Sequence, residues 1–152
     1  MTVRLTLCIA FLIGLNGFFS CKAQTTYKTA IGVKALDLVA VSGKHFIKTN
    51  KAVEGILVFN DGIRLTGLYE IHEPINDAPG LSWYIGPGVH IGHYNGRGGK
   101  GAYLGMDAVL GIDYKLKDFP LNFSLDWQPS FELLKGNGFY GGFGGFAMRV
   151  AL

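Results

Sequence analysis

Between Gly101 and Glu132 the chain alternates in two long runs joined by one turn, and few folds accept such a stretch. Ala102, Leu104, Met106, Ala108, Leu110, Ile112, Tyr114 and Leu116 form one set, and Tyr103, Gly105, Asp107, Val109, Gly111, Asp113, Lys115 and Lys117 the other. After Asp118-Phe119-Pro120 the pattern resumes with Leu121, Phe123, Leu125, Trp127, Pro129, Phe131 and Leu133 against Asn122, Ser124, Asp126, Gln128, Ser130 and Glu132. A period of two marks β-strands, whose successive side chains point to opposite faces. Strands in soluble proteins usually run about 5–6 residues. These run more than twice that, with one apolar face and one face of glycine and polar residues, as a membrane-spanning β-barrel requires.

Similar alternation predicts strands at Tyr27–Leu36, Val39–Ile47, Ala52–Phe59, Gly62–His72, Leu81–Tyr94 and Phe139–Leu152, eight in all. In the first, Tyr27, Thr29, Ile31, Val33 and Ala35 oppose Lys28, Ala30, Gly32 and Lys34. Pro87 cannot donate to a ladder, so a bulge or break is expected there. Asp37-Leu38, Asn60-Asp61-Gly62, Asn95–Gly101 and Lys135–Gly138 supply the turns at one end of the barrel. Short connections imply antiparallel neighbours in up-and-down order.

The 23 glycines suit a narrow interior and argue against helices. Only 16% of residues are charged, and the polar set is mostly Gly, Ser, Asn and Tyr, so the apolar set is expected to face lipid. Tyr69, Trp83, Tyr114, Phe131 and Tyr140 lie where membrane-interface girdles sit. A soluble lipocalin-like periplasmic barrel, the competing arrangement, would turn the same set inward around an apolar ligand.

The first 23 residues read as an export signal. Arg4 precedes the apolar run Leu5–Phe19, and Cys21 and Ala23 occupy the small-residue positions, with cleavage after Ala23. Lipoprotein processing at Cys21 is the rival. Residues 24–152 then form one barrel domain without cysteine. Removing Arg4 and Lys22 takes the formal charge from +3 to +1, a balance that gives no sign of a nucleic-acid partner.

The export signal, the eight strands and the closing run Gly145–Leu152 resemble the small outer-membrane β-barrel proteins of Gram-negative bacteria, of the OmpA/OmpX type. The resemblance implies an outer-membrane location, contact with lipid and lipopolysaccharide, and a monomer. It also implies that Phe146, Met148, Val150 and Leu152 form a C-terminal signal read by the barrel-assembly machinery. A terminal aromatic is more usual than Leu152. The class holds structural barrels, adhesins and lipid A-modifying enzymes.

Two motifs lose their usual meaning on strands. Gly96-Arg97-Gly98-Gly99-Lys100-Gly101 satisfies G-x-G-x-x-G, but a strand follows it where dinucleotide binding needs a helix. His90 and His93 point to opposite faces and do not share a metal; no cofactor is expected. Strand pairing predicts two inward polar groups. Arg64, His90 and Asp107 share one level. Glu70, Tyr84, Asp113, Ser124, Asp126 and Arg149 gather toward the end that carries the chain termini. The main expectation is a structural plug of ion pairs without catalytic activity. The enzyme alternative, an acyl hydrolase or acyltransferase acting on lipid A, takes Ser124 or Ser130 as nucleophile, His90 as base and Asp107 as orienter, although the expected register sets neither serine beside His90.

Overall fold

The computed structural model describes residues 27–35, 38–60, 62–96, 99–134, 138–142 and 144–152. The signal segment, Asp37, Asp61, Arg97 and Lys135 lie outside the described residues.

The strands are β1 (Thr29–Ala35), β2 (Val39–Lys48), β3 (Lys51–Phe59), β4 (Gly62–Pro74), β5 (Leu81–Gly96), β6 (Gly99–Lys115), β7 (Leu121–Trp127), β8 (Ser130–Leu134), β9 (Phe139–Tyr140) and β10 (Gly144–Ala151). Each pairs antiparallel with its neighbours, and β1 pairs with β10 to close the sheet. β7 and β8 both pair with β6 and form one staff of the wall, as β9 and β10 form another, so the barrel has eight staves. Closure leaves no edge along most of the wall.

The break expected at Pro87 occurs on one side of the strand only, and further interruptions fall elsewhere. At Pro87 the pairing to β6 runs on in register (Pro87↔Ala108), while pairing to β4 lapses between Leu68↔Gly88 and Ile71↔Ile85. The missing N–H of proline therefore breaks one ladder without a bulge. Pro129 separates β7 from β8, yet its carbonyl accepts from Ala108 N–H at 2.9 Å and the alternation passes through. A register shift does occur between Leu104 and Gly105 opposite Glu132–Leu134, and it turns both Leu133 and Leu134 outward. The last stave, expected as one strand, is interrupted at Gly141 and Gly142, and Trp127 Nε1 donates to the Gly141 carbonyl there at 2.8 Å. The strand expected from Ala102 begins at Gly99, so the glycine-rich loop is mostly ladder.

The rows of paired residues climb steeply. Starting at Ala30, they run through Lys44, Glu54, Leu68, Gly88, Asp107 and Ser130 to Tyr140. Tyr140 lies past Phe146, the last partner of β1. Such stagger is what closing a sheet into a narrow barrel demands. The rim where β1 starts and β10 ends is even. The far rim slopes from the β1–β2 hairpin, where β1 has 7 residues, up to β5 and β6 with 16 and 17.

The apolar set faces out. Ile31, Val33, Val41, Leu65, Ile85, Val89, Leu110, Ile112, Leu125, Met148 and Val150 are all exposed around the wall. Tyr69, Trp83, Tyr114, Phe131 and Tyr140 share that side. Tyr27 departs from its predicted set. It precedes β1, turns inward onto Phe46 with the rings 5.1 Å apart, and plugs the rim.

Candidate functional site

The interior is layered. Next to the even rim, Tyr27, Ala30, Phe46 and Ala52 form a small apolar cluster. Above it lies a charge network, then a second apolar cluster of Ala40, Ile56, Leu68 and Val109 around the Tyr84 ring. The far polar group lies on the tall side beyond it. Alternation builds all of this, because each inward residue sits two positions from the next.

The network nearer the termini is built on three cations. Arg149 on β10 donates through Nη2 to Glu54 Oε1 at 2.5 Å, through Nε to Ser42 at 2.7 Å, and through Nη1 to Ser124 at 2.9 Å and Asn122 at 3.3 Å. Lys44 on β2 meets Glu70 at 2.8 Å and Asp113 at 3.3 Å, and lies 4.2 Å from the Tyr84 ring centroid. Lys34 on β1 meets Asp126 at 2.8 Å, and Tyr84 donates to the same carboxylate oxygen at 2.5 Å. Asp113 also accepts from Asn122 at 2.7 Å and from Tyr27 at 3.1 Å. Burial first, and then Asp113, pushes the Tyr27 phenol well above its ordinary range, which keeps it a donor. His72 Nε2 faces Glu70 at 2.8 Å and its Nδ1 faces the Ser82 hydroxyl at 3.4 Å.

Glu70, Tyr84, Asp113, Ser124, Asp126 and Arg149 thus share one network. Lys34, Lys44 and Glu54 belong to it and were missed. On β2 the inward set Ala40, Ser42, Lys44 and Phe46 contains an aromatic, and the outward set contains Gly43 and His45, so the two faces differ little in polarity. The signal available was phase, since Lys34 lies opposite Ile31 and Val33 in the alternation.

The far group gathers on β4, β5, β6 and β8. Arg64 Nη2 meets Asp107 Oδ1 at 3.1 Å, and Gln128 Nε2 donates to that oxygen at 3.3 Å. His90 Nδ1 faces Asp107 Oδ2 at 2.7 Å, and His90 Nε2 faces Glu132 Oε1 at 3.0 Å. The Tyr103 ring leans on His90 at 5.9 Å. Gly105 directly across the ladder makes room, since a Cβ there would run into the imidazole. Arg64, His90 and Asp107 therefore meet, and Glu132 joins them, a partner that the strand pairing did not bring to this level.

The nucleophile geometry differs from its expectation. Ser130 pairs with Asp107 across the ladder, so it does lie next to this group. The ring nitrogen that would serve as base is occupied by Glu132, and Ser124 is held by Arg149 in the other network. His93 is exposed on the outer face, opposite to His90. Phe146, Met148, Val150 and Leu152 all face outward on β10 and just past it. No family model matches the chain, and no curated protein or solved structure does either.

Proposed function

We propose that this chain is a small outer-membrane β-barrel protein of a Gram-negative envelope, of the OmpA/OmpX type, with a structural role. In this reading residues 1–23 direct export, the barrel-assembly machinery reads Phe146, Met148, Val150 and Leu152, and the monomer sits among phospholipid and lipopolysaccharide. The observation that carries it is the inverted distribution of polarity. Large aliphatic and aromatic side chains are exposed around a closed wall, while lysine, arginine, glutamate and aspartate fill the inside. Leaving apolar surface in water costs about 25 cal/mol per Å². Monomeric soluble proteins rarely expose patches beyond a few hundred Å². Lipid removes that cost, and the closed ladder leaves few backbone groups for lipid to strand.

The filled interior supports a structural rather than a transporting role, because cross-linked charges occupy the space an ion path would use. Fractionation of expressing cells, followed by gel migration with and without boiling, tests the reading. Recovery with the outer membrane and a heat-dependent shift is the expected outcome. Recovery in the soluble fraction without detergent sinks it. A changed lipid A profile in a deletion strain would replace the structural role with an enzymatic one.

A further inference from the structure

His90 and His72 are both buried rings in this lumen, and their partners differ in a way that fixes a proton count. A neutral imidazole has one N–H donor and one bare nitrogen that accepts. His72 suits that state. One nitrogen faces the Glu70 carboxylate and the other faces the Ser82 hydroxyl, which can donate. His90 does not. Its Nδ1 is 2.7 Å from Asp107 Oδ2 and its Nε2 is 3.0 Å from Glu132 Oε1. An ionised carboxylate only accepts. Whichever tautomer a neutral His90 adopts, a bare ring nitrogen would face a carboxylate oxygen at hydrogen-bond distance, lone pair against lone pair.

We propose that Asp107, His90 and Glu132 form a proton-binding site at the far end of the lumen, which holds one proton more than two carboxylates and a neutral imidazole carry. The proton makes the ring an imidazolium that donates to both sides, or it sits on one carboxyl that donates to the ring. Both arrangements convert the clash into a hydrogen bond.

Charge balance points the same way. The groups facing His90 are Arg64 and Thr66 from β4, Asp107 and Tyr103 from β6, and Glu132 from β8. Arg64 offsets one of the two carboxylates, and the extra proton offsets the other. Without it the cluster carries, among the described residues, one carboxylate more than its cations, which is costly in a low-dielectric interior. Glu132 has the most exposed side chain of the three, although its Oε2 is buried and meets no hydrogen-bond partner among the described residues. Its side chain is 16% exposed, whereas those of His90 and Asp107 are fully buried. It also lies where the β6–β8 ladder shifts register, next to the two-residue strand β9. The site depends on the lumen alone and stands whether lipid or water surrounds the barrel.

The test is magnetic resonance on the full folded chain in detergent, labelled with ¹⁵N in the histidine rings and ¹³C in the carboxyl groups, near neutral pH. His72 serves as internal reference, with one ring N–H expected. For His90 the expected result is two ring N–H protons, or one together with a protonated Asp107 or Glu132. One N–H on His90 with both carboxyls ionised overturns the proposal. Glu132→Gln keeps the side-chain size and removes one carboxylate, so His90 should then resemble His72, with one N–H and Asp107 ionised, while the His45 and His72 signals stay in place. An unchanged proton count in that variant removes Glu132 from the site. If the variant does not fold, the native spectrum decides alone.

Discussion

The two polar groups inside this barrel use the same residue types and are held differently. Near the termini, Lys34, Lys44 and Arg149 are fully buried and each meets two or more partners from different staves. At the far end Arg64 and Glu132 each keep 16% of the side chain exposed, and the buried pivot is an imidazole. The first is a cross-brace, because every cation ties strands that are distant in sequence. The second is a hinge-like contact on the tall side of the wall. Buried charge braces a fold only where the partners come from all round it.

That contrast can be broken in several ways. The largest effect is expected from Arg149→Ala, which leaves Glu54 buried beside fewer cations and removes the donor to Ser42, Asn122 and Ser124. Losing one partner of a buried pair costs on the order of 3–5 kcal/mol. A denaturant or thermal midpoint in detergent should fall accordingly, and an unchanged midpoint would remove the cross-brace. Gly111→Ala comes next, at about 1–3 kcal/mol for overpacking. Its Cβ would press on Tyr84, Asp126 and the Leu125 carbonyl. Gly67→Ala has no atom within 4 Å of the new methyl, so it should stay within about 0.5 kcal/mol and serve as control.

Arg64→Ala should cost about 1–3 kcal/mol, less than Arg149→Ala, because the buried Asp107 loses its cation but keeps His90 and Gln128. Equal losses for Arg64→Ala and Arg149→Ala would mean that the far group braces the wall as fully as the near one. A small effect is also expected from Glu132→Gln, within about 0.5 kcal/mol by unfolding midpoint, because the amide N–H can donate to the bare ring nitrogen of a neutral His90. A loss as large as that of Arg149→Ala would make Glu132 a structural anchor.

The sequence made the staves legible because alternation survives any local irregularity that keeps side chains in phase. Pro129 shows this, since it ends a strand by hydrogen bonding and leaves Trp127 and Phe131 outward and Gln128 and Ser130 inward. The near network was legible where polarity contrast was strong, on the staves of Glu70, Asp113 and Asp126. It was invisible on β2, where Phe46 and Lys44 share a face. Glu132 escaped as a partner of His90 because a one-residue register shift beside Leu133 decides which residue opposes Gly105. Bulges of that kind depend on three-dimensional strain and leave no periodic trace.

The seam between β1 and β10 joins the first and last described strands, and Leu152 N–H reaches the Thr29 carbonyl at 2.7 Å. Contacts this distant in sequence carry the greatest entropic delay and form late in folding. Arg149 rides on the seam strand, so the guanidinium that neutralises Glu54 arrives with closure itself. A barrel lacking its last strand holds Lys34 and Lys44 against Glu54, Glu70, Asp113 and Asp126, an acidic surplus in an open wall. Completing the wall and bringing the third cation into its interior are then a single step, and a chain that stops short of one fails at both.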